Sequence, residues 1–576
     1  MGSSPSSFCP SLAANHLSLT IQTPNTIALM DCDGPTGLVY QMMLKEYTAG
    51  VEGIQDIQYL NAFRVNDKPF ASSLLGTSKS QVLATARARI SICNLICKMD
   101  EAGTRLLASV YLGKMFSRST MFFERGLMSG IPQEFDVCPP AERFICIAIR
   151  NRNILQFPLV PGLTNVKFDW IRTAFGSQLT GDESTAEYLE FSFKGQPFGN
   201  SGKHEEMITA KRLFLAMIRQ FAKGGYELSV GLSLRGGFKN DTTFFKSNSR
   251  LADSNPPTNY FLLGVEERNR LRLFECPTDV AKEIQESIVS GNIREIKPSY
   301  MGCAEIVFTG TPFDAESEAL ANTQLMFLEI CSRLWAIGWK YKGVVYPSLG
   351  RYSKVFLFFR WTPSEKLYTK RGCRHRSQTA RRIFRSRGVR EKSRPPALPS
   401  PEASRPMGGR GGEWARGERS FRSLSPPVGP HRANLLFEST KEAPRPAFAL
   451  AMVRSDTIKL LNAPTNVRTV VRELILAVWP KGLQSESEFP RGLSLKLRGR
   501  PFAVRDVAAD CVEGIHLLVC LIEKLRLCGW VLHSGLELGA RMVNDEETHG
   551  YSADGSMMLF IRSDHSINPM GSRFNT

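Results

Sequence analysis

The sequence predicts an α+β fold of four tandem repeat units, each of about 100 residues and each ββα followed by βαββ. Three observations predict it. A Pro-Phe turn recurs four times, at Pro69-Phe70, Pro197-Phe198, Pro312-Phe313 and Pro501-Phe502. An alternating apolar run precedes each turn, and a run with helical spacing follows it. An earlier proline, Pro35, Pro161, Pro277 or Pro464, stands 34, 36, 35 and 37 residues before the later one.

The first half of each unit reads as a hairpin and a helix. In the fourth unit Phe448–Val453 and Thr457–Leu461 are the strands and Arg454-Ser455-Asp456 the turn. Pro464 then punctuates, and Val467–Val478 has apolar spacing near 3.6. The second unit gives Phe144–Ile149 and Ile154–Phe157, then a helix after Pro161 through Trp170. The third gives Tyr260–Val265, Leu271–Phe274 and a helix over Val280–Val289. The first gives Leu17–Ile21, Thr26–Met30 and a helix over Leu38–Tyr47.

The second half reads as a strand, a longer helix and a closing hairpin. Tyr188–Phe193 alternates strictly, as a half-buried strand does. Pro197 cannot continue a ladder and biases Gln196 away from helix. Met207, Leu213, Phe214, Met217, Ile218 and Phe221 mark one helical face, stopped by Gly224-Gly225. Gly-aromatic pairs follow the helix at Gly225-Tyr226, Gly338-Trp339 and Gly529-Trp530, while Gly103-Thr104 stands in the first copy. We expect the Pro-Phe turn to be structural, its phenylalanine packed under the helix, and the Gly-Trp pairs to be a helix stop followed by a core residue. Each unit is large enough for its own small core.

These spacings set the boundaries: a disordered N-terminus over 1–16, repeat units at 17–125, 143–246, 259–361 and 446–563, and a disordered C-terminus over 564–576. Between the third and fourth units, residues 362–445 are rich in Arg, Pro, Gly and Ser. That composition cannot bury enough apolar surface to offset its ordering entropy, so a disordered basic linker is expected.

The net charge of +18 is concentrated there. Lys366–Arg432 holds 18 Lys and Arg against 4 Glu and no Asp, leaving the repeats near neutral. A polyanion partner, non-specific RNA or DNA, would therefore meet Arg381, Arg382, Arg385, Arg387 and Arg390. Phe384 and Trp414 alone are too few for a base-stacking platform. A plain charged tether and translated non-coding sequence are the competing readings of the segment.

The 13 cysteines are scattered and odd in number, which reads as reduced intracellular thiols. Cys93, Cys97, Cys146, Cys331, Cys520 and Cys528 fall at apolar positions of the expected elements. No apolar run reaches 18 residues, and no basic stretch followed by an apolar core opens the chain, so neither membrane span nor signal peptide is expected. Catalytic constellations are absent: no phosphate loop at Gly408–Gly412, no second histidine for His204, no ligand pair to join Cys93 and Cys97, and His516 inside an apolar helix. No enzyme activity, cofactor or metal is expected.

The pattern of alternating strand, Gly-x-Pro-Phe, amphipathic helix, Gly-Trp and Phe-Phe-Arg resembles a multi-copy repeat of uncharacterised animal proteins. The first copy departs from it, with Asp67-Lys68-Pro69 for Gly-x-Pro. The resemblance carries no activity and no site residue. A non-enzymatic intracellular scaffold that binds an unknown protein partner is the expected function, with nucleic-acid association through the basic linker as the alternative.

Overall fold

In the computed structural model the described residues are 15–30, 50–125, 144–248, 260–360, 447–538 and 556–563, with short gaps inside some of these ranges. The linker with its five arginines, both termini and the first-unit helix expected over Leu38–Tyr47 lie outside them.

Four six-stranded antiparallel sheets carry the chain. The first unit holds β1 (His16–Gln22), β2 (Thr26–Met30), β3 (Val51–Ile57), β4 (Leu60–Val65), α1 (Lys79–Glu101), β5 (Thr104–Tyr111) and β6 (Ser119–Arg125). The second holds β7 (Phe144–Asn151), β8 (Ile154–Pro158), α2 (Asp169–Phe175), β9 (Leu179–Ser184), β10 (Tyr188–Phe193), α3 (His204–Lys223), β11 (Tyr226–Leu232) and β12 (Thr242–Ser247). The third holds β13 (Tyr260–Glu266), β14 (Arg270–Phe274), α4 (Thr278–Ser287), β15 (Ile293–Tyr300), β16 (Cys303–Phe308), α5 (Ser317–Ala336), β17 (Trp339–Val345) and β18 (Val355–Arg360). The fourth holds β19 (Ala447–Val453), β20 (Thr457–Leu461), α6 (Thr465–Val478), β21 (Leu483–Phe489), β22 (Gly492–Leu497), α7 (Ala509–Leu527), β23 (Trp530–Glu537) and β24 (Ser556–Arg562).

All four sheets have one order. Taking the six strands of a unit in sequence, they lie side by side as third, fourth, second, first, sixth, fifth. The third strand is an addition to the ββα and βαββ reading. It is an outer edge, and in β9 and β21 nearly every residue is exposed. An edge strand that buries neither face needs no apolar alternation, so its sequence (Leu-Gln-Ser-Glu-Ser-Glu-Phe in β21) carries none to read. In the second unit α2 also lies further along than expected, covering Asp169–Phe175.

The Pro-Phe turn is structural. Phe70, Phe198, Phe313 and Phe502 are all buried. The backbone N–H groups of Phe198, Phe313 and Phe502 donate to Arg152, Arg268 and Ser455 in the first hairpin of their own units, at 2.8, 3.1 and 2.9 Å. This tie explains the glycine three residues earlier. Gly195, Gly310 and Gly499 have φ of 69°, 74° and 85°, and Asp67 takes φ 64° in the first unit. Aspartate is among the few residues that tolerate this left-handed region, so the first copy keeps the turn without its glycine.

The cores depart from expectation. A separate core for each unit is not what forms, because each sheet buries both faces. In β19, Phe448, Leu450 and Met452 pack with the helices of their own unit. The alternate residues Ala449, Ala451 and Val453 pack with Leu325, Leu328 and Cys331 of α5, from the unit before. The same alternation sends Ala28 and Ala62 of the first unit into the core of the fourth, beside Ile515 and Leu518. The long helix of each unit thus seats on the next sheet: α1 on β7, α3 on β13, α5 on β19 and α7 on β1. The fourth contact closes a cycle of four.

The fifth strands β5, β11, β17 and β23 meet one another inside this cycle. Ser109 Oγ donates to Gly231 O at 2.7 Å, Lys342 Nζ to Glu227 at 2.6 Å and His533 Nε2 to Tyr341 O at 2.8 Å. The backbone of Gly535 lies so close to Ser109 O that no side chain fits there. Each fifth strand carries a bulge at its fourth residue: Leu107, Ser229, Lys342 and His533.

The Gly-Trp pairs are core. Trp530 packs edge-on against Phe448 at 4.8 Å, and Phe448 stacks on Phe560 at 5.0 Å. Trp339, Phe261 and Phe358 repeat this arrangement in the third unit. Trp530→Ala should destabilise the chain by about 3–5 kcal/mol, the usual effect of deleting a buried aromatic. A urea titration of the full chain measures it, and a loss below about 1 kcal/mol would mean that the indole is not core.

Candidate functional site: the seams between repeats

The chemically dense places among the described residues are the seams where a helix meets the next sheet. One helix position faces each seam. It lies fourteen residues before the glycine that ends the helix: Arg89 in α1, Lys211 in α3, Gln324 in α5 and Ile515 in α7. Opposite runs one row across the neighbouring sheet, fixed by strand register. The rows are Glu190–Gln156–Ala148–Thr242, Glu305–Arg272–Gly264–Val355, Ser494–Lys459–Ala451–Met557 and Ala62–Ala28–Thr20–Thr120.

At the first seam Arg89 is fully buried. Its guanidinium donates to Gln156 Oε1 at 2.7 Å, Asp241 Oδ2 at 2.7 Å and Thr242 Oγ1 at 3.0 Å. Gln156 passes the contact on to Glu190 Oε1 at 2.8 Å. Burial pushes the Glu190 carboxyl above its ordinary range, opposed by Arg150 and Gln156. The planar fork of arginine reads three acceptors at once, which lysine cannot do.

At the second seam Lys211 meets Glu266, and Arg272 Nε donates to Glu305 Oε2 at 2.7 Å. Arg270 and Lys297 flank Glu305 at 3.3 and 3.4 Å. Burial disfavours the Glu305 carboxylate, but Arg272, Arg270 and Lys297 together outweigh it and hold the group below its usual value. Burial, with Arg272 alongside, pushes Lys211 down to about 7. Arg212 Nη2 approaches Cys303 Sγ at 3.8 Å, yet burial raises that thiol, which makes it a poor nucleophile.

At the third seam Gln324 is fully buried, and neither end of its amide makes a hydrogen bond to protein. At the fourth, Ile515 packs with Ala28 and Ala62, the apolar half of its row. Charge gathers at its flanks instead. Asn15 donates to Glu523 at 3.0 Å, His16 also meets Glu523, and Arg526 meets Glu124.

The sequence reading placed its candidate site on Arg381, Arg382, Arg385, Arg387 and Arg390, which lie outside the described residues. It missed the seam position, whose signal is a polar residue recurring at one place in otherwise apolar helix faces. His516 is buried beside Cys520, Sγ to Nε2 3.5 Å, consistent with a core histidine. Cys93, Cys97, Cys146, Cys331 and Cys520 are buried, but Cys528 is exposed, because it follows the last turn of α7. No group of three or more metal-ligating side chains is found among the described residues.

A model of an uncharacterised domain family matches the chain three times, over residues 143–246, 259–360 and 446–552. No curated protein and no solved structure matches. The first unit falls outside these matches, yet its sheet has the same strand order as the other three.

Equivalent seam positions should respond to substitution with opposite signs. Arg89→Ala takes the guanidinium from buried Asp241, Gln156 and Thr242 and should destabilise by about 3–5 kcal/mol. Gln324→Leu removes an unpaired buried amide and should stabilise by about 1–2 kcal/mol. Denaturant titrations of the two variants decide, and a loss of stability in Gln324→Leu would refute the reading of that seam.

Burial pushes His516 down to about 4. Its folded value lies below its unfolded one, so the unfolded chain takes up the proton first. The stability this residue contributes is whole above pH 6.5 and is lost as the pH falls from there to about 4. His516→Leu should therefore reduce the loss of stability between pH 7 and pH 4.5 by about 2–3 kcal/mol, read from urea midpoints at the two pH values.

Proposed function

We propose that this chain, which belongs to the uncharacterised repeat-domain family it matches three times, is a non-enzymatic protein-interaction scaffold of the cell interior. The supporting observation is the outer edge that every unit presents. Strands β3, β9, β15 and β21 are each paired on one side only. An open strand edge accepts an extended peptide by adding it to the sheet, with main-chain hydrogen bonds for affinity and side chains for selectivity. Two of these edges are acidic and a third is mixed. β9 offers Asp182 and Glu183, β21 offers Glu486 and Glu488, and β15 offers Ile296 between Glu295 and Lys297, with Val289 exposed just before it. The buried charges of the seams are spent on packing the units together, which supports a structural over a catalytic role for them. Among the described residues no helix is long and apolar enough to cross a membrane.

The second reading, nucleic acid held by the arginines of 362–445, rests on the charge of that segment alone. Affinity purification of the whole chain and of a chain lacking 362–445, each with and without nuclease, separates the two. Protein partners that survive both nuclease and the deletion are the expected result. Partners lost with either treatment would transfer the function to the basic segment. In that case binding by the whole chain should weaken by ~10³–10⁵ between 50 and 200 mM salt, as six to ten phosphate contacts require.

A further inference from the structure

We infer that units 1–3 form a socket for unit 4, which docks as a separately recognised module chosen by the seam residues. Unit 4 is the one unit that no short connection joins to a neighbour. Eighty-six residues separate Arg360 from Ala447, and its other face meets the first unit, at the opposite end of the chain. Its place therefore depends on two non-covalent contacts. One buries Ala449, Ala451, Leu461 and Met557 against unit 3. The other buries Ile515 and Leu518 with Ala28, Ala62 and Phe122 of unit 1.

The seam residues make both contacts selective. The socket offers an uncharged amide, Gln324, on one side and an alanine row, Ala28 and Ala62, on the other. Unit 4 brings Lys459 and Ser494 to the first and Ile515 to the second. No other unit fits this sector. A copy of unit 2 would set the charge of Lys211 against the two alanines, and a copy of unit 1 would do the same with Arg89. Conversely, Lys459 placed against Lys211 or Arg89 would bury two cations together. The sheet that takes Lys211 in its proper seam supplies Glu266 instead, and the sheet that takes Arg89 supplies Asp241 and Gln156. The polar residues therefore act as a pairing code, and the socket is specific for a repeat unit with an apolar residue at the Ile515 position. This inference stands apart from the scaffold reading, since docking of unit 4 can be tested without any partner.

The test uses the full chain with a site-specific protease sequence inserted within 362–445. After complete cleavage of the folded protein, size-exclusion chromatography with light scattering at micromolar concentration should give one species carrying both pieces. Separation of the pieces would overturn the docking. In the same cleavable chain Gln324→Lys faces Lys459 with a second cation, and cleavage should now release unit 4. Adding Val453→Glu puts a carboxylate at the strand position of Glu266, two residues past the row, which recreates the Lys211–Glu266 pair of the second seam and should restore co-elution. Ile515→Glu should release the unit, and Ile515→Leu should not. Circular dichroism of each uncleaved variant, matching the parent, establishes that the chain is folded before cleavage. Release that Val453→Glu fails to reverse, or co-elution of the cleaved Gln324→Lys chain, would overturn the code.

Discussion

Every sheet in this protein has two apolar faces and only one set of its own helices to cover them. That excess fixes the rest of the architecture. The uncovered face takes the long helix of the preceding unit, so no unit is complete alone. In an open array the first sheet would keep a bare face and the last helix a bare stripe. Here α7 covers β1, and the two unmet demands cancel. The result differs from a solenoid, in which terminal repeats need a polar outer surface; none of the four units acts as a cap.

Sharing a core among four similar units raises a problem of identity, because similar helices can sit on similar sheets. The chain answers it with polar groups at one position. The first two seams carry buried charges that meet opposite charge on the correct sheet, Arg89 at Asp241 and Lys211 at Glu266. Such groups add little net stability when paired and are strongly unfavourable when mispaired. Gln324 sits between these cases, uncharged and unbonded, and is the one seam residue that neither attracts nor strongly repels.

Much of the fold was legible in the sequence, for physical reasons that can be traced to particular residues. Strands that bury one or both faces, such as Tyr188–Phe193 and Phe448–Val453, announce themselves through apolar pattern, and the Pro-Phe turns gave the spacing of the units. The edge strands were not legible, since an exposed strand such as Leu483–Phe489 has no pattern to impose. Sharing of cores was written in β19, where Phe448, Leu450 and Met452 alternate with Ala449, Ala451 and Val453 and all six are apolar. A strand buried on one side alone would have polar residues at three of those places. The seam position was hard to see, because its meaning lies in a comparison across units: arginine, lysine and glutamine are polar at one place in an apolar helix face, and isoleucine breaks the pattern in the fourth. Function was legible least of all, as the residues that looked like a site belong to a basic segment outside the described structure.

The contact between His16 and Glu523 joins residues 507 positions apart, and it sets a schedule for synthesis on the ribosome. At about 5–20 residues per second, roughly 25–100 s separate the appearance of β1 from that of its covering helix. Throughout that interval the face of the first sheet that carries Ala28 and Ala62 has no partner from its own chain. That face carries Met30, Val110 and Phe122 beside the two alanines, and Thr20 and Thr120 bond to each other across it. The one seam without buried charge is thus the one that must wait longest, and a nascent chain presents this apolar face to its neighbours until α7 emerges.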